Sequence, residues 1–570
     1  MLVIDFEVFK YDWLAVVMDT VAQSEQVIIN DSEQLEALYR EHCKDVWLGY
    51  NIRGYDQWIL KGILCGFNPK HINDYIIEGG NNGATFSSQF RYVPLCFFDV
   101  KTTPDSLKTL EGFMGSDIRE TTVPFNINRK LTASELSEVV KYCRHDVEQT
   151  YLVFTKRIEE FTSQLELAQM FGMDKSALGR TKAQLSAIAL GARQRADSQD
   201  EFDFTIPTNL RISKYASVIE WFRARQGAGA AMYSDKLETN VAGVPHVFAW
   251  GGLHGALPKY HGKGVFINCD VASYYPSLML EYGYISRAIK DPAHYADIYH
   301  KRLAYKAAKD KRQQPLKIVL NSTYGAMKDR FNALYDPMQA NNVCVTGQLL
   351  LLDLIEQVEA VGCADLIQSN TDGVLFKLRG NAEDEINANF SVLDDVCHEW
   401  EQRTKMRLEF DEFSEVWQKD VNNYVMMAAN GAYKSKGAYV KKLSDLDNDL
   451  PIVNKALLAY MVRGTPIAKT VEESNDLIDF QKIFRVSSKY RCAFHNGREL
   501  SEKTFRVFAS RDARNTPLYK IKAGGNPEKF ANCPEACFID NGDMLGKRVP
   551  PELDRAYYVE LARKRLSDFL

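Results

Sequence analysis

The stretch QSNTDGVLFKL, residues 368–378, reads as two strands joined by a tight turn. Apolar residues precede it, Asn370-Thr371-Asp372-Gly373 makes the turn, and an apolar alternation follows. An acid at such a tip offers a carboxylate to a metal. A site that handles two divalent ions usually draws on more than one carboxylate, so Asn370 is a lost ligand, a tolerated variant or an ordinary turn residue. The acids elsewhere in the chain decide which.

The chain has 570 residues, too long for one core, and its composition is that of an ordinary soluble protein without low-complexity tracts. A net charge of −5 argues neither for nor against a polyanionic partner, so local clusters matter more. One basic cluster lies near the C-terminus: Lys482, Arg485, Lys489, Arg491, Arg498, Lys503, Arg506, Arg511 and Arg514. Its plain reading is a solvated face. The 11 cysteines are scattered, mostly in apolar runs, as reduced buried thiols are, and the lone Cys533/Cys537 pair is weak evidence for zinc. MLVIDFEVF already reads as a strand, no signal peptide is expected, and no apolar run spans a bilayer. A cytoplasmic location is expected.

Working back to the start, LVIDFEVF is a buried-type strand that places Asp5 and Glu7 on one face, because side chains alternate with period two. VWLGYNIRGYDQWIL follows as a strand, a polar turn at 51–54, and Tyr55-Asp56 opening an apolar stretch. LTASELSEVVKYCRHDVEQTYLVF is a helix with Thr132 as N-cap and Glu135 completing a capping box. On it Tyr142 and Asp146 are neighbours, four residues apart. Each feature alone has a structural explanation. Together, acids at the start, middle and end of the segment can bind two metal ions about 4 Å apart.

Residues 151–245 read as mostly helical and polar, with RADSQDEFDF as a surface excursion. In FAWGGLHG the GGLHG of residues 251–255 reads as a glycine turn, where backbone can approach a phosphate, or else as a tight hairpin. GVFINCD is a strand ending in Asp270, and the following VASYYPS exposes the Val271 carbonyl as a hard oxygen ligand. Residues 291–331 read as two helices joined by a turn around Lys311–Pro315. Arg302 and Lys306 share a face of the first; Lys317, Asn321 and Lys328 recur along the second, with Tyr324 and Gly325 beside them. Such cations can converge on a triphosphate, where they stabilise charge in phosphoryl transfer.

In order, DxE at 5–7, N-x3-YD at 51–56 and YxxxD at 142–146 resemble the three exonuclease motifs of proofreading DNA polymerases, and the Ser-Leu-Lys of residues 106–108 resembles a stretch common there. DVASYYPS resembles the first polymerase motif of B-family DNA polymerases, KIVLNSTYG is similar to the second, and NTDG stands where the third has two aspartates. The resemblance implies a mixed α/β and α+β multidomain chain: an RNase H-like 3′–5′ exonuclease domain at 1–155, a helical connecting region at 156–245, palm at 246–290 and 331–450, fingers at 291–330, and thumb at 451–570. It implies catalytic metals at Asp270 and Asp372 with the Val271 carbonyl, and at Asp5, Glu7, Asp56 and Asp146, two Mg2+ per site with Mn2+ able to substitute. Tyr142 would orient the attacking water. Tyr275 would lie under the sugar, Arg302, Lys306 and Lys317 would bind the triphosphate, and Asn321 and Tyr324 would line its pocket.

Residues 407–442 read as strands with a turn at 429–431, resembling the end of the palm. Asn422-Asn423-Tyr424 stands where the family has Lys-x-Tyr, keeping the tyrosine. Gly251, Gly252, Tyr424, Lys434 and Lys436 are the expected DNA contacts, and the C-terminal basic cluster is expected on the DNA backbone. LDRAYYVELARKRLSDFL closes the chain as an amphipathic helix. The implied partners are primer–template DNA, dNTPs and single-stranded DNA for a monomeric, compact phage-type enzyme. Asn370 is read as tolerated, since Asp372 keeps the bridging position. The alternatives are an exonuclease with a degenerate, DNA-binding polymerase half, and a non-catalytic replication scaffold.

Overall fold

In the computed structural model, which describes residues 1–196 and 200–570, the opening apolar run forms strand β1 (Leu2–Val8). Its even residues Leu2, Ile4, Phe6 and Val8 enter one core with Trp47, Ile59, Leu60 and Ile63. Val3, followed by Phe9 just past the strand, enters a second core with Leu48, Val139, Cys143 and Val147. Asp5 and Glu7 therefore share the face of the second core. Around β1 the strands β2 (Trp13–Asp19), β3 (Ser24–Ile29), β4 (Trp47–Gly49) and β5 (Phe97–Asp99) complete a sheet of order β3-β2-β1-β4-β5. β1 to β3 pair antiparallel, and β1, β4 and β5 pair parallel. Helices α1 (Ser32–His42), α2 (Asp56–Leu64), α3 (Pro69–Ile77), α4 (Leu107–Met114), α5 (Ala133–Lys156) and α6 (Ile158–Met170) accompany it. α5 begins at the expected Thr132–Glu135 capping box.

Beyond α7 (Lys182–Ala189) and α8 (Ala216–Arg223), a second sheet gathers β6 (Leu237–Val241), β7 (Val244–Phe248), β8 (Leu253–Ala256) and β9 (Tyr260–Val271). After α9 (Tyr274–Glu281), α10 (Pro292–Ala307), α11 (Gln313–Ala326) and α12 (Pro337–Val361) come β10 (Ala364–Thr371), β11 (Gly373–Leu378), α13 (Glu383–Thr404), β12 (Leu408–Asp420), β13 (Asn423–Met427) and β14 (Tyr433–Lys436). The order is β14-β13-β12-β9-β11-β10-β8-β7-β6, with antiparallel pairing throughout. α12 packs against this sheet and is buried around most of its circumference. Its acids Asp353 and Glu356 go inside because each is partnered: Asp353 by Arg403, Glu356 by the backbone N–H groups of Ser213 and Lys214.

The chain then runs through α14 (Pro451–Arg463) and α15 (Ile467–Glu473) into two small sheets. One joins β15 (Lys482–Arg485), β18 (Thr504–Ala509) and β21 (Cys537–Ile539); the other joins β16 (Cys492–His495), β17 (Arg498–Leu500), β19 (Tyr519–Ile521) and β20 (Pro527–Lys529). The closing helix is α16 (Arg555–Leu566), whose Tyr558, Ala562 and Leu566 are buried at a spacing of four, the expected amphipathic pattern.

Two compact units result: Met1–Arg180 with Leu443–Val453 and Ala468–Leu561, and Thr181–Lys442 with Asn454–Ile467 and Ala562–Leu570. The mixed α/β, multidomain class expected from the sequence is observed. Most of the segment read as a thumb belongs to the same unit as the N-terminal sheet. There Arg506, fully buried, donates to the carbonyls of Gly112 (3.2 Å), Ser116 (2.7 Å) and Gly542 (2.6 Å) and to Oε1 of Gln481 (2.9 Å). Glu120 accepts from the N–H groups of Lys503 and Thr504 at 2.8 and 2.9 Å. The end of α4 is thereby pinned by the C-terminal strands.

Several local expectations change. Arg506 is interior and cannot be part of a DNA-facing surface, while Arg491 and Arg514 are exposed but paired with Glu499 and Asp512. RADSQDEFDF is not wholly a surface excursion: Phe204 is buried against Phe222 and Trp250, although Asp197–Gln199 lie outside the described residues. Pro315 sits in the first turn of α11, where its missing N–H costs nothing, and Lys328 falls just past that helix. His254 and Gly255 belong to strand β8 rather than to the glycine turn.

Candidate functional site

The N-terminal unit holds a cleft of about 510 Å3 lined by Asp5, Glu7, Asp56, Tyr142 and Asp146, among others. Three local structures deliver these groups. β1 supplies Asp5 and Glu7 by alternation, and Asp56 opens α2. α5 supplies Tyr142 and Asp146 one turn apart. The turn before Asp56 is held by Asp99 at the end of β5, which accepts from the N–H groups of Asn51, Arg53 and Lys101 at 3.0 to 3.2 Å. Asp99 is thus a buried acid used to shape the loop.

The four cleft acids crowd one another away from water. Burial pushes all four carboxyls up. Neighbouring acids add to the rise for Asp5 and Glu7, and Asp56 reaches about 7. Asp146 reaches only about 6, because Lys108 offsets part of the burial. Oδ1 of Asp56, a residue 3 % exposed, has no hydrogen-bond partner among the described residues. A set of desolvated, mutually repelling carboxylates with an orphaned oxygen fits a divalent cation.

Lys108 is the residue whose role sequence reasoning missed, although its Ser-Leu-Lys stretch was noticed. It pairs with Asp146, donates to Glu111 at 3.0 Å, and lies 4.6 Å from the centre of the Tyr142 ring. Burial opposes its charge, but Asp146 and Glu111 outweigh that and hold its ammonium above the ordinary range. Its signal was a lysine three residues ahead of Glu111 on one helix.

The second unit gathers its acids more shallowly. β9 ends with Asp270, and β11 pairs beside it so that Gly373 lies opposite Asp270. A Cβ at Gly373 would come 1.9 Å from Oδ1 of Asp270, so the turn requires glycine there. The N–H of Val271 donates to the Asp372 carbonyl at 2.7 Å, tying the strand end to the hairpin tip. Burial and then Asp372 raise the Asp270 carboxyl to about 6, although Asn268 opposes the shift. Asp372 is exposed at the tip, and partial desolvation raises it too.

Around these acids the expected partners fall as follows. The Tyr275 ring stacks on Tyr324, centroids 4.2 Å apart. Arg302 is buried and donates to the Ser273 hydroxyl at 3.0 Å, and its Nε has no partner among the described residues. Lys306 is exposed and paired at 3.3 Å with Glu409, which stands opposite Asp270 on β12. Lys317 and Asn321 lie exposed, one turn apart on α11. Gly252 is packed on Thr371, 2.8 Å from where a Cβ would stand, while Gly251 is open. Lys434 pairs with Asp411, and Lys434 and Lys436 act electrostatically on Asp270 and Asp372 respectively.

Asn370 has a defined job. Its Nδ2 donates to the carbonyl of Val421 at 3.3 Å. It ties the 368–378 hairpin to the turn at 420–424, which is itself built on Asp420 accepting from Asn422 and Asn423.

No protein-family model matches the chain, and no curated protein matches it. Among solved structures, the family B DNA polymerase from the hyperthermophilic archaeon Pyrobaculum calidifontis aligns over 100% of this chain and 77% of its own, with 15% identity and a TM-score of 0.40. A likeness at that level carries no argument about activity.

Two outcomes follow from the geometry. Acids whose folded-state pKa lies above the unfolded value of about 4 bind more protons when folded, so stability falls as pH rises. For Asp56 and Asp146 the window runs from that value up to about 6 or 7. Metal-free protein therefore melts lower at pH 8 than at pH 5.5, and Asp56→Asn raises the pH 8 melting temperature by about 2–4 °C, checked by calorimetry in EDTA. Asn370→Asp sets an acceptor against the Val421 carbonyl and costs about 1–3 kcal/mol in metal-free urea unfolding at pH 8.

Proposed function

We propose that this chain is a B-family DNA polymerase of compact phage type that adds dNTPs to a primer 3′-OH and removes mismatched 3′ ends with a separate 3′–5′ exonuclease site. The observation that supports this most is the pairing of two independent carboxylate sites, each beside the residues its chemistry needs. The strand order β3-β2-β1-β4-β5, antiparallel on one side of β1 and parallel on the other, supports an RNase H-like nuclease body. The antiparallel sheet carrying Asp270 and Asp372 supports a palm.

Asp5, Glu7, Asp56 and Asp146 would hold Mg2+ in the first site, and Asp270, Asp372 and the Val271 carbonyl in the second, with Mn2+ able to substitute. Bound metal supplies Lewis-acid stabilisation of phosphoryl charge and activates the nucleophile. The protein's own groups do the rest. Tyr142 orients the attacking water over the end of a single strand, and Lys108 keeps Asp146 ionised beside it. In the second site the stacked Tyr275 and Tyr324 form a floor under the incoming sugar and exclude a 2′-OH. Arg302, Lys306 and Lys317 bind the triphosphate, Lys306 by leaving Glu409, and Asn321 lines the pocket. Gly251, Gly252, Tyr424, Lys434 and Lys436 meet the primer–template backbone. The enzyme acts as a monomer on primer–template DNA.

A second reading draws on Asn370: a nuclease whose other half only binds DNA. Site-specific variants separate the two. Asp270→Ala lowers primer extension by about 100-fold or more while 3′ degradation of a single strand continues. Asp5→Ala does the reverse. Loss of both activities in a folded Asp270→Ala protein overturns the two-site reading, and absence of extension in the Asp5→Ala protein favours the nuclease alone.

A further inference from the structure

A fully buried thiol of the adjoining core lies against one acid of the first cleft. Cys143 lies on α5 next to Tyr142, and its sulfur is 3.4 Å from both the backbone carbonyl oxygen and the carboxylate Oδ2 of Asp5. One ligand atom each from Asp5, Glu7 and Cys143 lie within 4.8 Å of one another, the only such group found among the described residues. Asp56, almost wholly buried, lines the same cleft as Asp5 and Glu7, and its Oδ1 has no hydrogen-bond partner among the described residues. The chemistry proposed above has no use for sulfur, because Mg2+ is a hard ion served by oxygen. Packing does not require it either: Val139 and Val147, one turn to either side on the same helix face, are fully buried aliphatics.

We infer that Asp5, Glu7 and Cys143 form a sulfur-containing position for a thiophilic divalent ion of the Zn2+ class, set where the carboxylate cleft meets the core and competing with Mg2+ for the two acids. The distances suit such an ion. Tetrahedral zinc with Zn–S of about 2.3 Å and Zn–O of about 2.0–2.2 Å holds sulfur and oxygen about 3.6 Å apart. The sulfur and the Asp5 carboxylate are already 3.4 Å apart. As the metal–sulfur bond forms, the thiol proton leaves to a buffer base, so two carboxylates and one thiolate face a dication. Thiolate raises affinity for zinc-class ions far more than for magnesium, and the cleft becomes selective in a way that oxygen ligands alone would not make it. A Zn2+ ion held here occupies Asp5 and Glu7 and excludes the ions that hydrolysis needs. The inference deepens the nuclease reading of the cleft and rests on it for that consequence, whereas the binding position itself rests on geometry.

Cd2+ is the probe, because its bond to a thiolate absorbs in the near ultraviolet. The full chain is titrated with Cd2+ in parallel with Cys143→Ser and Cys143→Ala, each verified as folded by its cooperative melting curve, and the spectra are subtracted. The expected result is a difference band saturating at one equivalent, reversed by Zn2+ and resisting a large excess of Mg2+. The affinity of that site falls by more than about tenfold in both variants. A flat difference spectrum against both folded variants overturns the inference. Mg2+-dependent degradation of single-stranded DNA by the unaltered chain is measured alongside. Degradation without the band removes this inference and leaves the nuclease reading, whereas the band without degradation keeps the metal position and removes that reading.

Discussion

Four carboxylates forced together out of water, with one lysine against them, set the terms for the N-terminal unit. Like charges at such range raise one another's pKa and cost stability, and they persist only where the surrounding fold leaves them no choice. Three devices fix them: strand alternation for Asp5 and Glu7, a helix start shaped by Asp99 for Asp56, and a long capped helix for Asp146. The balancing cation, Lys108, rides on α4, and α4 is gripped at its other end by Arg506, almost four hundred residues further along the chain. The C-terminal strands therefore belong to the support of this cleft as much as to any surface of their own.

The other carboxylate site solves the same problem at lower cost. Asp270 and Asp372 sit at a strand end and a hairpin tip, partly solvated, and the close approach is made possible by removing side chains: Gly373 opposite Asp270 and Gly252 against Thr371. With an amide at position 370, one negative charge is absent from the tip. The amide instead ties the hairpin to the neighbouring turn through the Val421 carbonyl. Asn370 is a hydrogen-bond donor with the Val421 carbonyl 3.3 Å away.

Much of this was legible in the chain. β1, the 368–378 hairpin and α5 with its cap are local structures written in period-two alternation, turn chemistry and a Thr-x-x-Glu box. The acids they carry were found because their spacing follows from those periods. Long-range placement was not legible. Arg506 reads as one more cation in a basic run, and only the carbonyls it meets from α4 make it a core residue. Phe204 lay in a polar stretch, and its burial depends on Trp250 and Phe222 arriving from elsewhere. Lys108 was visible as a motif residue, but its partner Asp146 comes from another helix. Pairing across sequence distance, not local propensity, is what the residues left unsaid.

The most direct test uses the unaltered chain on a 5′-labelled primer annealed to a longer template with Mg2+. The account predicts that the primer lengthens when all four dNTPs are present, shortens from its 3′ end when they are left out, and does neither in EDTA. Shortening that proceeds equally with and without dNTPs would contradict the claim that the hairpin at 368–378 carries a working second site.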